Sequence, residues 1–204
     1  MPKVNYTFDS QLKDNLEDET INNKTFNGNQ NNIKLKNVTF QDCVFKDVDF
    51  SNIEFDGVDL VNVIFENCDL SNKQFDERLL NDVLFKDCKL IGSSFIDSFI
   101  KKIEFIGTNA KYINLSGSKI TNIVIKNSDF SESSFIETKF KKIILSNVIF
   151  TKSEFINTPL KNVDFTKCEI NETVFDMTSV RGMIVNQFQC TELVSLLGVI
   201  VDYM

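Results

Sequence analysis

Twenty-nine carboxylates, twenty-two Lys and Arg side chains, five thiols and no imidazole are the reactive groups of this chain. Without histidine, the commonest general base and the commonest zinc ligand are both missing. No CxxC occurs, so no zinc site is expected. No glycine-rich loop is placed to cradle a phosphate. Surface carboxylates lack the burial that tunes a pair for acid–base work. The chain is therefore not expected to be an enzyme, and no cofactor is expected. What its charged groups can do is recognise other charges, and they are unevenly placed. Residues 42–82 hold eleven acids against Lys46, Lys73 and Arg78, a net of −8. Residues 101–167 hold eleven Lys against six acids, a net of +5. The overall charge of −7 argues against direct nucleic-acid binding.

What positions these groups is a beat of five. Every position divisible by five from Leu35 to Val180 is apolar: of thirty, sixteen are Phe, eight Leu and four Ile, with Ala110 and Val180. Five matches neither the helical period nor the strand period. Two residues before each centre stand small or β-branched residues such as Val38, Cys43, Val48 and Ile53, with Lys73 and Arg78 as the bulky charged exceptions. Two residues after each centre come Asp42, Asp47, Asn52, Gly57 and Asn62, residue types that accept tight turns. A unit this short cannot bury its own apolar side, so the pattern predicts a stacked solenoid.

The beat resembles the pentapeptide-repeat family, whose consensus is A(D/N)Lxx with Leu or Phe at the centre. That resemblance implies an all-β fold, a right-handed quadrilateral β-helix in which four pentapeptides close one square coil. Residues twenty apart then stack in columns, and residues 35–185 form the shaft, about 7.5 coils to Val180. Cys43, Cys68, Cys88 and Cys168 all fall on inward positions, as small buried thiols. Cys68 and Cys88 should lie on adjacent coils, and no disulfide is expected between them. A local bulge is expected in SNKQFDERLL, where Lys73 and Arg78 take inward places.

The two ends break the beat. Residues 1–34 read as a cap or arm, with a short helix running from Asp9-Ser10 through Glu19 and a loop over NGNQNN. No apolar stretch marks a secretory signal in MPKVNYTFDSQLKDN or a membrane span anywhere, so a cytoplasmic chain is expected. Residues 186–204 read as a short helix and tail: Thr191 as N-cap, Leu193, Leu196 and Leu197 on one side, Gly198 as the stop, then Val199-Ile200-Val201. With Arg181-Gly182 and Gln187 before it, this tail is similar to the ending of the Qnr-type branch, although about five residues shorter. The resemblance implies a homodimer joined end to end through Leu193, Leu196, Leu197, Val199, Ile200 and Val201.

In that branch, quinolone-resistance members bind DNA gyrase and topoisomerase IV as DNA mimics. The resemblance assigns the mimic's charge here to Asp42, Asp47, Asp49, Glu54, Asp56 and Asp59. The same acids also read as an ordinary solvated surface. The two projecting loops of some members are missing, since the beat is unbroken from 35 to 180; loop-free relatives inhibit gyrase as well as, or instead of, protecting it. A basic column, Lys101, Lys141, Lys161 and Arg181, with Lys102 and Lys142 beside it, opposes a uniformly acidic rod and suits an acidic partner. An apolar outward column, Val44, Ile64, Leu84, Val124, Ile144 and Ile184, interrupted by Glu104 and Asp164, reads either as ladder packing or as a partner strip, and Phe99 lies off the beat. A scaffold for some other protein partner remains the alternative to a topoisomerase-binding protein.

Overall fold

The computed structural model describes residues 12, 15–28, 33–200 and 202. Its main body is one parallel sheet wound into a square helix. Three short strands, β1 (Leu16–Glu17), β2 (Thr20–Asn22) and β3 (Thr25–Asn27), lie against the long bent strand β4 (Ile33–Lys46). There follow β5 (Ile53–Glu66), β6 (Leu79–Lys86), β7 (Phe99–Ile106), β8 (Lys119–Asp129) and β9 (Lys139–Ile149). The short β10 (Glu154–Phe155), β11 (Cys168–Glu169) and β12 (Val174–Phe175) lie in the last coils. The main path runs β1-β4-β5-β6-β7-β8-β9-β11, one strand per coil. Pairing is parallel at a spacing of twenty, as in Phe45↔Phe65↔Phe85↔Phe105.

The beat becomes a column of rings. Phe26, Phe45, Phe65, Phe85 and Phe105 stack with successive centroids 4.8, 4.9, 5.1 and 5.3 Å apart. A second column stacks Phe75 on Phe95 at 4.8 Å and Phe135 on Phe155 at 4.5 Å. Neighbouring sides meet edge-on, as Phe40 meets Phe45 at 87°. Offset stacks and T-contacts are the geometries that the ring quadrupole favours. Most serines and threonines at the second inward position are buried too, and their hydroxyls find partners inside: Ser93 Oγ donates to Leu70 O at 2.7 Å, Ser153 Oγ to Phe130 O at 2.7 Å and Ser133 Oγ to Ser153 Oγ at 3.0 Å.

Corners explain the Asn, Asp and Gly positions. Asp42, Asp47, Asn62, Asn67 and Asn72 all take φ between 54° and 59°. At Gly117, φ is 72° and an added Cβ would lie 2.1 Å from Asp97 Oδ1, so a side chain here would have to push the Asp97 carboxylate aside. Turn side chains also stack: Asn67 Nδ2 donates to Asp47 Oδ1 at 2.6 Å, and Asn62 donates to Asp42.

The N-terminal reading needs correction. Leu16–Glu17 is strand, not helix, and Leu16, Ile21 and Phe26 pair with Leu35, Phe40 and Phe45. These are five-residue centres with their own positive-φ partners at Asp18, Asn23 and Gly28. The shaft therefore starts one coil earlier, in a phase offset by one residue, and nineteen residues separate the partners. Asp9, Ser10 and most of NGNQNN lie outside the described residues.

The expected irregularity occurs just past SNKQFDERLL, where the β6–β7 register shifts between Leu80 and Val83. Lys73 stays half-buried, with Nζ 2.8 Å from Ile53 O and 5.9 Å from the centre of the Phe55 ring. Burial pulls its pKa below the ordinary amine value. Cys68 and Cys88 are free, buried and on adjacent coils. Hydrogen bonding to Cys68 and burial both push the Cys88 thiol up; burial pushes Cys168 to about 11. Only Cys190 is exposed. A thiol titration with Ellman's reagent should thus show one fast equivalent, with four more appearing only on unfolding.

Candidate partner-binding surfaces

The six acids singled out in the sequence all fall within a span shorter than one coil. Spacing by twentieths puts them on every side of the rod, so they form a belt rather than a stripe. Their environments differ. Glu54 is paired with Lys34 at 2.9 Å. Asp49 accepts from Ser51 N at 2.8 Å, and Asp59 accepts from Leu79 N at 2.8 Å. Asp42 and Asp47 hold the side-chain ladders to Asn62 and Asn67. Among the described residues, Asp42, Asp47, Asp49, Asp56 and Asp59 have no cation at ion-pair distance, although Asp56 still acts on Lys34 and Lys36, and Asp49 on Lys73, through space. Further up the rod, neighbouring acids are neutralised: Glu66 lies between Lys46 and Lys86 at 3.9 and 2.7 Å, and Asp69 lies 3.6 Å from Lys89. Glu66 is held below the usual carboxylate range by the Lys86 hydrogen bond. Unpaired acids are thus frequent on the early coils, and among the described residues they recur further up at Asp76, Glu77, Asp87 and Asp97.

The apolar outward column proves to be a ladder, with Val44↔Ile64↔Leu84 and Val124↔Ile144 paired laterally. Val44 is buried, while Ile144 is 43% exposed. Phe99 is 54% exposed, paired beside Leu79, with Lys119 Nζ 4.9 Å above its ring. This apolar corner with a cation on top was only half visible in sequence; spacing by twenty would have joined Leu79, Phe99 and Lys119.

At the far end, α1 (Cys190–Val194) continues into a 3-10 turn over Ser195–Leu197, and Gly198 ends it at φ 72°. The N-cap is Gln189, not Thr191, whose hydroxyl donates to Phe188 O at 2.8 Å. Leu193 and Leu196 pack on the core, whereas Leu197, Val199 and Ile200 face outward at 66%, 50% and 94% exposure. Val201 lies outside the described residues. Phe188 adds another exposed ring at this end. The residue that ties the end down is Gln189. Its buried Nε2 donates to Phe165 O at 2.8 Å and Cys168 O at 2.7 Å, closing the last coil like a plug. Gln187, which carries part of the tail resemblance, is exposed. Gln189→Ala strands two buried carbonyls and should cost roughly 2–4 kcal/mol in a denaturant titration.

Among the described residues, no cluster of His, Cys, Asp or Glu could hold a metal ion, and no helix is long and apolar enough to cross a membrane. The chemistry on offer is a filled rod with an acidic belt, a basic face and an apolar end.

Comparison with known proteins agrees with this architecture. A model described as a pentapeptide repeat region matches residues 58–135, and one of pentapeptide repeats, in eight copies, matches 128–166. The chain belongs to the pentapeptide-repeat family. A model of the SV2A/B/C luminal domain also matches, over residues 2–95. No curated protein matches. Among solved structures, a trypsin-treated variant of QnrB1, a plasmid-mediated fluoroquinolone resistance protein, superposes with a TM-score of 0.53 at 18% identity, covering 95% of this chain and 100% of its own. HetL, a pentapeptide repeat protein involved in heterocyst differentiation regulation from the cyanobacterium Nostoc sp., matches at a TM-score of 0.39 and 10% identity, over 91% of this pentapeptide-repeat protein and 92% of its own chain. At 18% identity the likeness to QnrB1 is one of fold.

Proposed function

We propose that this pentapeptide-repeat protein binds a type II topoisomerase, gyrase or topoisomerase IV, as a DNA mimic. The observation that carries the reading is the belt of carboxylates from Asp42 to Asp59, of which only Glu54 has an ion-pair partner among the described residues, on a rod of the fold shared with QnrB1. Fixed carboxylates on a rigid cylinder can occupy a channel that is built for phosphates. The unbroken beat leaves no projecting loops, which favours inhibition of the enzyme over drug protection. In this reading the rod acts in the cytoplasm and needs no cofactor.

The exposed Leu197, Val199 and Ile200 support an end-to-end homodimer, with Leu193 and Leu196 holding the helix onto the last coil. A chain ending at residue 190 should lose half its mass by light scattering. If it stays dimeric, the end-to-end arrangement is wrong. The function itself is tested by titrating the protein into a gyrase supercoiling assay, with and without a fluoroquinolone. Inhibition without drug supports the mimic; no effect at a large molar excess removes it. The basic face supports a second reading, a scaffold for a different protein partner, and that reading stands if gyrase is unaffected.

A further inference from the structure

Among the described residues, main-chain hydrogen bonds join successive coils along most of the shaft and are missing over two stretches, between 53–58 and 73–78, where the Lys73 ammonium donates to Ile53 O instead, and between 139–146 and 159–166. In one column, the amides of Phe99, Lys119 and Lys139 donate to the carbonyls of Arg78, Ser98 and Ser118 at 3.0, 2.9 and 2.9 Å. The next residue in that column is Pro159, which has no N–H to donate. The ladder does not resume at once. β9 pairs with β8 from Lys139 to Ile149, yet on its other side it pairs only at Val148 and Ile149. Among the described residues, no main-chain hydrogen bond joins 139–146 to 159–166. The coil beyond is sound again: Leu160, Asn162 and Phe165 donate to Ser179, Gly182 and Ile184 at 3.1, 2.8 and 2.9 Å. The seam admits solvent. Phe140, Ile143 and Leu145 are half-buried, whereas Ile120, Ile123 and Ile125, one coil earlier, are buried.

A second observation sits on the same edge. Lys139, Lys141 and Lys142 belong to β9, with Lys119 below and Lys161 and Arg181 beyond. Among the described residues, none of these six has a carboxylate at ion-pair distance. Asp164 stands at the far end of the seam, occupied by Thr166 N and Oγ1 at 2.9 and 2.6 Å.

We propose that the β9 edge docks an extended acidic peptide segment of another protein, added as a strand. Among the described residues, 159–166 lie over this edge without main-chain bonds to it, tied down only at Thr158 and Lys167 on either side, so the unbonded β9 donors and acceptors alternate as a second peptide backbone would match once that segment swings aside. A nucleic-acid backbone supplies acceptors only, and the net charge of −7 repels it. Acidic side chains on the peptide's outward face meet the lysines, and its alternate apolar ones cover Ile143 and Leu145.

The test is fluorescence anisotropy with the full chain and a fluorescein-labelled heptapeptide alternating glutamate and valine. Saturable binding is expected. Methylating the edge-facing amides should weaken it by about tenfold or more, since each lost hydrogen bond counts. Lys141→Glu with Lys142→Glu should weaken it by a similar factor. Pro159→Ala returns the missing donor to its column, so it should close the seam, lower peptide affinity and raise thermal stability. The proposal fails if the peptide does not saturate, or if the methylated peptide or an oligothymidylate binds as tightly as the plain peptide. It also fails if Pro159→Ala leaves the affinity unchanged.

Discussion

Replacing Asp42, Asp49, Asp56 and Asp59 together with Asn should abolish inhibition of gyrase supercoiling while leaving the rod intact. Asparagine is the informative substitute, because Asp42, Asp49 and Asp59 each accept a hydrogen bond from Asn62 or from a backbone amide. The amide oxygen can keep those contacts, and only the charge is lost. It also suits position 42, where φ is 54°, since Asn tolerates left-handed backbone. Rim charges contribute roughly 0.7 kcal/mol each, so four removals should raise the inhibitory concentration about 100-fold. The circular dichroism spectrum should not change. Equal potency of the fourfold variant would show that the belt does not supply the mimic's charge.

Phe85→Ala should be the most damaging single truncation. The ring has no exposed surface, lies between Phe65 and Phe105 at 5.1 and 5.3 Å, and meets Phe95 edge-on at 6.3 Å. Removing it opens a cavity in the middle of a continuous column, with no mobile neighbour able to fill it. Such losses cost about 3–5 kcal/mol, which for a chain of this size lowers Tm on the order of 10 °C. Phe99→Ala, on the surface, should stay within about 0.5 kcal/mol of the parent. Thermal melts of the two variants side by side separate burial from aromatic content.

These two phenylalanines also show what the sequence makes legible. Phe85 is on the beat and Phe99 is off it, and arithmetic alone sorts inside from outside. The same arithmetic places Cys68 beside Cys88 and assigns Asp42, Asp47 and Asn62 to corners. It fails where phase slips: Leu16, Ile21 and Phe26 keep the interval but not the multiple of five, so an entire coil was read as an arm. It says little about which acids are neutralised, because Glu66 and Asp56 look alike in sequence. Only lateral stacking shows that Glu66 is held by Lys46 and Lys86, whereas Lys36, the neighbour of Asp56, turns to Glu17. Gln189 was missed because a side chain that plugs a solenoid end is defined by the carbonyls left over there, and no local pattern records them. Pro159 was legible as a missing donor, but its effect appears only once the column of Phe99, Lys119 and Lys139 is known.

The seam at Pro159 has a mechanical consequence. A solenoid loaded along its axis carries tension coil to coil through its ladders, and the ladder between 139–146 and 159–166 is absent on two of four sides. Pulled from its ends, the rod should part there first, hinging on the bonds that remain at Val148 and Phe155. The distal coils would swing as one lever, carrying the apolar tip with them while the acidic belt stays still.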